Sequence, residues 1–405
     1  MKDEGLIDLC GGGTRCIASG IQEDATHRVP APITVFHQSF ILHLSSFILI
    51  LCLSACGQHN EEDTKEKTPD DEFVTEVMLR TTPMKDQGNS ELCWAYAMLA
   101  TIETEHIMQG DSVDLSVAYL AYQLLADEAR QRYASGKAHP ISMKGMATTA
   151  LHLLQLYGAM PYTSYRQREG VSFPSLCRQV QRIADQEQAH RKGIRHLDKA
   201  TGDLLGEVMS TPPSWVFMLG CQYTPTEFAH SLYQPGEYAA LTSFTHRPFG
   251  TRMVIDMADN HFRDTFLNVE LDSLMQYVEQ ALRTGHPVCW EGDISEKGYD
   301  SQQGVARLSP DHAAVTQESR QLSFDQQQTT DDHCMAMIGI AHDKEGRKYF
   351  VCKDSRTNTL RGGLVYLEEN YVRAKTIAVV IPTAALPPMS QLIPPPTDPF
   401  LPSTM

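Results

Sequence analysis

The sequence has few basic residues for its length. Its 405 residues include 34 Lys and Arg against 50 Asp and Glu, which gives a formal net charge of −16 at pH 7. Binding to nucleic-acid phosphates needs a basic face, so this composition argues against a nucleic-acid partner. Hydrophobic residues make up 42% of the chain, which is enough for a core of ordinary globular proportions.

Cysteine pairs at metal-binding spacing are also missing. None of the ten cysteines forms a CxxC pair or a Cys/His cluster with the spacing of a zinc site. Their wide separation is unlike the disulfide framework of a small secreted domain. We therefore expect no metal or organic cofactor, and we expect cysteines outside a motif to lie in the core.

The start of the chain has no apolar run of the roughly 20 residues that a membrane-spanning helix needs. The apolar run from Phe47 to Cys56 is shorter and ends in small residues, as in the apolar region and cleavage site of a secretory signal. Leu53-Ser54-Ala55-Cys56 resembles the bacterial lipobox, in which the cysteine becomes the lipidated first residue. The polar, charged residues that follow favour a disordered tether.

These patterns divide the chain into five segments. We predict an over-extended start without structure (1–35), a lipoprotein signal peptide (36–55), an acidic tether (56–75), a catalytic-type domain (76–385) and a proline-rich tail (386–405). Only His37 and His43 could supply positive charge close to the apolar run. A buried strand or a plain membrane anchor over 40–55 therefore stays open as the alternative.

One cysteine has a motif around it. The residues from Glu91 to Met108 are strong helix formers, and Ser90 is predicted to cap this helix, with Glu91 in its first turn. Cys93 then lies at the positive end of the helix dipole, where a cysteine pKa falls from about 8.5 toward roughly 3.5–7.5 if a protonated histidine is also near. Glu103, on the same helix, is predicted to be a structural buried acid.

The same segment resembles the papain family of cysteine peptidases. In that family a glutamine precedes the nucleophilic cysteine by six residues and a tryptophan follows it, as do Gln87, Cys93 and Trp94. The resemblance assigns Gln87 to the oxyanion hole and Trp94 to substrate binding. Fixed donors at the place where negative charge develops are the physical requirement of acyl transfer. Glu91 departs from the family, which usually has a small residue there.

The middle of the chain extends the resemblance. The segment from Lys144 to Tyr165 is similar to a family segment in which a glycine lines the cleft, and this implies a substrate-binding role for Gly145. Residues 224–250 and 267–295 resemble the bleomycin hydrolase and aminopeptidase C branch. The helical periodicity of 174–209 and 274–282, and the strand that begins at Val288, are predicted from the apolar pattern.

A thiolate nucleophile needs a histidine to take and return the proton. Among the 16 histidines, His312 and His333 stand in an Asp-His context before apolar residues. His333 is preferred because it begins an apolar run of strand type, followed by a turn and a second strand that ends at Asp354.

The family places Asn-Ser-Trp at the end of that second strand, where this chain has Asp354, Ser355 and Arg356. An aspartate can accept the same imidazole N–H and hold the ring in its productive tautomer. Its charge would also raise the histidine pKa, which favours the thiolate–imidazolium pair. Asn358 is the alternative orienting residue.

Together these features predict an α+β, papain-like, two-lobed fold with the active-site cleft between a helical lobe and an antiparallel β lobe. The resemblance implies a cysteine peptidase that acts on peptides or proteins through Cys93, His333 and Asp354. The similarity to the bleomycin hydrolase and aminopeptidase C branch further suggests an aminopeptidase. The localisation expected is the bacterial cell envelope, lipid-anchored and facing the periplasm or exterior. Two alternatives stay open. One is a catalytically silent papain-like surface lipoprotein that binds peptides or glycans, and the other is a Cys-His-Asp acyltransferase.

The lipobox generates a direct prediction. Wild-type protein expressed in a bacterial host should incorporate radiolabelled palmitate, and the Cys56→Ser variant should not, because the sulfur of Cys56 is the predicted attachment atom. A mature N-terminus mapped well upstream of Cys56 by mass spectrometry would contradict the prediction.

Overall fold

The computed structural model describes residues 72–135, 140–218, 220–309, 314–388 and 392. Cys56, His312 and the predicted signal peptide lie outside these residues, and so do most of the tether and tail. Within the described ranges, none of the helices combines the length and the hydropathy needed to cross a membrane.

One lobe is helical, and its core is built around a helix that is buried on nearly all sides. The helices of the described ranges are α1 (Cys93–Met108), α2 (Val117–Ser135), α3 (Ala147–Tyr157), α4 (Phe173–Ala189), α5 (Ile194–Met209), α6 (Pro225–Leu232), α7 (Leu271–Arg283), α8 (Gln317–Asp325) and α9 (Glu369–Lys375). Most side chains of α1 are apolar and buried, as expected of a helix enclosed in a core. It packs on both α3 and the sheet.

The charged segment at 174–209 forms two amphipathic helices, α4 and α5, which confirms the predicted periodicity. Leu176 and Val180 of α4 and Leu205 of α5 are buried, while the charged residues between them face outward. Both helices pack against α2. They therefore form the outer layer of the helical lobe.

The other lobe is a mostly antiparallel sheet. Its strands are β1 (Phe73–Met78), β4 (Tyr238–Thr242), β5 (Arg252–Val254), β6 (Thr265–Asn268), β7 (Val288–Gly292), β8 (Tyr299–Asp300), β9 (Val305–Ala306), β10 (His333–Asp343), β11 (Lys348–Lys353), β12 (Leu364–Glu368) and β13 (Thr376–Pro382). The strand order is β5-β6-β4-β13-β7-β10-β11-β12-β9-β8, with β1 paired to β10. A separate hairpin joins β2 (Val216–Met218) to β3 (Cys221–Tyr223).

On one side, the central strand β10 pairs with two strands in succession. Its first half, from His333 to Met337, pairs with β7, and its second half pairs with β1. A bulge between Met337 and Gly339 shifts the register against β11. A Cβ at Gly339 would lie 2.4 Å from the carbonyl oxygen of Val77, so only glycine fits there.

The predicted hairpin between β10 and β11 is present, and the Asp343 carboxylate stabilises its turn. The Asp343 carboxylate accepts hydrogen bonds from the backbone N–H groups of Glu345 and Arg347. Strand β7 also begins at Val288 as predicted, and α7 contains the predicted apolar stripe at 274–282. Because β10 and β11 are antiparallel, the hairpin brings His333 and Asp354 to the same end of these two strands.

Strand β1 begins at Phe73, inside the range 56–75 that the sequence assigned to the tether. The Phe73 ring stacks on Tyr366 at 4.2 Å between centroids and meets Tyr349 edge-on at 4.8 Å. This aromatic contact comes from strands far along the chain, so the local composition gave no sign of it. Strand pairing thus extends the folded part to Phe73.

A buried polar network joins the lobes beside α1. Glu103 is 1% exposed and accepts hydrogen bonds from the Lys85 ammonium at 2.5 Å and the Leu115 N–H at 2.7 Å. Thr82 donates to Glu103 at 2.5 Å and accepts from Lys353 at 2.8 Å. Glu103 is therefore buried and fully engaged by these donors, as the prediction of a buried acid requires.

Replacing Glu103 by alanine should lower the free energy of unfolding by about 3–5 kcal/mol, because it leaves buried cationic and hydroxyl donors without their acceptor. Urea unfolding followed by circular dichroism measures this loss. The control is Asp203→Ala, which breaks the exposed pair with Lys199 and should cost about 0–1 kcal/mol. Equal losses in the two variants would contradict a central role for the network.

Candidate active site

The start of α1 differs in detail from the sequence prediction. The helix begins at Cys93 itself, preceded by Leu92, and has no side-chain cap and no acid in its first turn. The predicted cap at Ser90 is wrong, because the Ser90 hydroxyl donates to the Gln87 carbonyl instead, at 2.7 Å. Glu91 likewise precedes the helix. Cys93 is therefore the first helical residue, where unpaired backbone N–H groups and the helix dipole favour a thiolate.

Gln87 is held rigidly next to Cys93. Its side-chain N–H donates to the Ser90 carbonyl at 2.8 Å, and its side-chain oxygen accepts from the Ser355 hydroxyl at 2.6 Å. The Gln87 backbone N–H also donates to the Ser355 carbonyl at 2.8 Å. An amide fixed from both sides is a preorganised donor, as an oxyanion hole requires. Sequence reasoning did not identify Ser355 as its partner.

His333 and Asp354 form a buried pair at the shared end of the inner strands β10 and β11. The His333 Nε2–H donates to Asp354 Oδ1 at 2.6 Å, and both residues are at most 2% exposed. His333 is the first residue of β10, and Asp354 directly follows β11. The structure thus brings Asp354, and not Asn358, to the histidine.

The second ring nitrogen of His333, Nδ1, faces Cys93. Among the described residues, Nδ1 has no hydrogen-bond partner. Burial opposes protonation, but the charge and hydrogen bond of Asp354, together with Cys93, raise the pKa of His333 to about 9. At neutral pH the ring is therefore an imidazolium, with Nδ1–H available to Cys93.

Cys93 lies in an environment that stabilises its thiolate. The Cys334 thiol is the largest influence and lowers the pKa of Cys93 well below its usual value; burial opposes this shift and His333 adds to it. A thiol is a weak hydrogen-bond donor, so Cys334 can solvate the neighbouring negative sulfur. Cys334 was predicted only as a core cysteine. It is buried but also lines the cavity next to Cys93.

A cavity of about 210 Å³ opens beside Cys93. It is lined by Gln87, Ser90, Glu91, Cys93, Trp94, Lys144, Gly145, Asp259, Asp331, Asp332, His333, Cys334 and Arg356. All the predicted site residues of the peptidase domain except Asp354 therefore meet at one cavity, and Asp354 lies directly behind His333.

Gly145 and Trp94 form one wall of this cavity. Trp94 is fully buried, and its indole N–H donates to the Met143 carbonyl at 2.9 Å. A Cβ at Gly145 would lie 3.0 Å from the Trp94 ring. Trp94 therefore holds the glycine segment in place, and glycine at position 145 lets that segment lie close against the Trp94 ring and Thr149.

Within the described part of the chain, no group of three His, Cys, Asp or Glu is arranged to hold a metal ion. The arrangement of Cys93, His333 and Asp354 suits nucleophilic chemistry. A thiolate, a base with one free nitrogen and a group that orients the base make up the nucleophile–base–orienter pattern.

Comparison with known proteins supports the fold. No family model matches the chain. Papaya proteinase 4 of Carica papaya is 31% identical over 120 residues, which are 26% of this chain and 32% of that protein, so the chain spans about a third of the length of this curated relative.

Among solved structures, PepW from Lactobacillus rhamnosis HN001 superposes with a TM-score of 0.64 at 16% identity, covering 78% of this chain and 84% of that chain. Xylellain, a cysteine protease from Xylella fastidiosa, gives a TM-score of 0.41 at 16% identity, with coverages of 78% and 88%. The chain has an α+β, papain-like fold, and the predicted resemblance to papain-like cysteine peptidases is confirmed.

The His333–Asp354 pair predicts how substitutions of Asp354 change the activity and its dependence on pH. Asp354→Asn should keep activity, since the amide can accept the same N–H, whereas Asp354→Ala should lose about 10-fold or more because the ring loses its orientation. The asparagine variant should also shift the alkaline limb of the pH–rate profile, which lies near pH 9 in the wild type, to lower pH. The reason is that removing the negative charge lowers the pKa of His333, so the imidazolium is lost earlier as pH rises.

The matched control for this experiment is Asn358→Ala, whose exposed side chain lies outside the cavity and should leave the profile unchanged. Wild-type activity in Asp354→Ala, or an alkaline limb that does not move in Asp354→Asn, would mean that Asp354 does not orient the base.

Proposed function

We propose that this protein is a cysteine peptidase that hydrolyses peptide bonds with Cys93 as nucleophile, His333 as general acid and base, and Asp354 as orienting residue. The observation that carries the proposal is the buried His333–Asp354 hydrogen bond, which leaves Nδ1 of the ring for the thiol at the start of α1. Peptides or proteins are the proposed substrates.

The reaction proceeds in two halves. The Cys93 thiolate attacks the peptide carbonyl carbon, and the developing oxyanion accepts hydrogen bonds from the Gln87 side-chain amide and the Cys93 backbone N–H. His333 gives its Nδ1 proton to the leaving amine, which breaks the C–N bond and leaves a thioester on Cys93. Water, deprotonated by His333, then attacks the thioester and releases the acid and the thiolate.

The aminopeptidase character is a finer part of the proposal. It rests on the resemblance of 224–250 and 267–295 to the bleomycin hydrolase and aminopeptidase C branch. Of the proline-rich tail, the structure describes 386–388 and residue 392. Anchorage to the bacterial envelope through lipid on Cys56 is likewise proposed from the lipobox alone.

The catalytic assignment is tested by Cys93→Ala and His333→Ala, each of which should reduce hydrolysis of a fluorogenic peptide panel by at least about 10⁴-fold, since nucleophile and base act as one unit. A thiol-directed epoxide inhibitor should label Cys93 in wild type, as mapped by mass spectrometry. Circular dichroism should show that both variants remain folded.

His312→Ala is the control, because His312 is the histidine with the competing sequence context, and this variant should retain activity. Wild-type turnover in Cys93→Ala or His333→Ala would refute the assignment. A folded wild-type protein that neither reacts with the epoxide nor cleaves any peptide would instead favour the silent peptide- or glycan-binding lipoprotein.

A further inference from the structure

A second thiol lies in contact with the proposed nucleophile. The Cys334 thiol and the Cys334 backbone N–H are both hydrogen-bonded to the sulfur of Cys93. The two cysteines line the same cavity, and both are free thiols in this structure. Peptide hydrolysis uses one sulfur as nucleophile, so a second thiol in contact with it opens a reaction that hydrolysis does not use.

The fold brings these two sulfurs together from distant parts of the chain. Cys93 is the first residue of α1, and Cys334 is the second residue of β10. The helix packs directly on this strand, and Cys93 packs against the buried cluster that contains Cys334. The contact is therefore fixed by a core helix and a central strand rather than by a loop.

The two thiols differ in access and in protonation. Cys93 is half-buried beside a cavity of about 210 Å³, and the Cys334 thiol is the largest cause that holds the pKa of Cys93 well below its usual value. Cys334 is only 2% exposed, and burial is the largest cause that raises its pKa. Peroxides oxidise the thiolate and need access to it, so Cys93 reacts first while Cys334 stays reduced beside it.

One other described cysteine lies near this pair. Cys289 of β7 is buried, and burial is the largest cause that raises its pKa. Its thiol is hydrogen-bonded to Thr101, although the charge of Cys93 also acts on it. Cys289 therefore has the burial and the neighbourhood of Cys334 but a different hydrogen-bond partner, which makes it the matched control for the experiment below.

We propose that Cys93 and Cys334 form a reversible disulfide when the protein meets a hydroperoxide, with Cys334 as the resolving cysteine. The link ties up the sulfur of Cys93, so the oxidised protein has no nucleophile until a reductant restores it. The proposal goes beyond the peptidase function, because the thiol pair reacts whether or not the protein hydrolyses peptides.

The reaction consists of two steps. The Cys93 thiolate attacks one oxygen of hydrogen peroxide, which forms the S–O bond of a sulfenic acid and breaks the O–O bond. The His333 imidazolium gives its Nδ1 proton to the departing hydroxide, which leaves as water. The Cys334 sulfur then attacks the sulfenic sulfur, forming the S–S bond and breaking the S–O bond, and the hydroxyl leaves with the Cys334 proton as a second water. Two electrons pass from the two sulfurs to the peroxide.

The first step makes the second easier. After burial, the hydrogen bond to Cys93 and the charges of Glu291 and Cys93 are the main causes that raise the pKa of Cys334. Oxidation turns the Cys93 thiolate into a neutral sulfenic acid, so the contribution of its negative charge disappears. The ring of His333 has also lost its proton in the first step. Cys334 therefore becomes a better nucleophile at the moment when its target has formed.

The test uses the reduced full-length protein, treated with hydrogen peroxide in the absence of other thiols. Remaining thiols are alkylated, and the protein is digested without reduction for mass spectrometry. Wild type should yield a linked pair of peptides that contain Cys93 and Cys334, and dithiothreitol should separate them. Cys289→Ala should yield the same pair.

Cys334→Ala and Cys334→Ser should yield no such pair and should accumulate sulfinic and sulfonic acids on Cys93, because the sulfenic acid has no thiol to resolve it. Reversibility is measured as the labelling of Cys93 by iodoacetamide after peroxide and then dithiothreitol, relative to the same variant left untreated. Wild type and Cys289→Ala should recover about 10-fold more of this labelling than either Cys334 variant, since dithiothreitol reduces disulfides but not sulfinic acids.

Oxidation of Cys93 without a link to Cys334, a link from Cys93 to Cys289 instead, or full recovery of labelling in the Cys334 variants would each overturn the proposal. If circular dichroism shows that neither Cys334 variant folds, the peptide map of the wild type and of Cys289→Ala decides the matter. A Cys93–Cys334 link in a protein that cleaves no peptide supports the modification site and counts against the peptidase function alone.

Discussion

The packing of α1 against the sheet depends on one buried charge network. Glu103 accepts from Lys85, and through Thr82 it is linked to Lys353. Lys85 and Lys353 stand immediately before the segments that carry Gln87, the proposed oxyanion donor, and Asp354, the proposed orienting residue. The interaction that holds the helix on the sheet therefore also fixes the positions of the two residues that support the nucleophile and the base. Because the network is buried, water does not compete with it.

The electrostatics of the cleft follow from a balance between two kinds of neighbours. The helix start, Cys334 and His333 favour a negative sulfur on Cys93, while Asp331, Asp259 and Glu291 oppose additional negative charge in the same space. Asp354 adds a further negative charge behind the ring and so keeps His333 protonated. The resting site is a thiolate–imidazolium pair in a cavity that is lined by several acidic side chains.

Much of this site was predictable because its main parts have local signatures. A cysteine at the start of an apolar helix and a histidine at the start of an apolar strand can be identified from sequence alone, and α1, β7 and the β10–β11 hairpin were predicted close to their observed bounds. The error at Ser90 is local, because its hydroxyl donates to the Gln87 carbonyl three residues earlier instead of capping α1. The omissions are non-local: the start of β1 depends on the ring of Tyr366, and the positions of Ser355 and Cys334 depend on strand register. No pattern along the chain encodes such pairings before the fold is known.

The bulge in β10 separates a segment that cannot gain or lose a residue from a segment that can. From His333 to Met337 the strand keeps strict alternation against β7, so inserting or deleting one residue there would turn His333 to the opposite face of the sheet. Beyond the bulge, the turn after Asp343 is exposed, and its backbone N–H groups donate to a single carboxylate, that of Asp343. Relatives of this protein should therefore vary in length at that turn while the distance from the histidine to the bulge stays constant, which gives an alignment marker for the base that is independent of sequence identity.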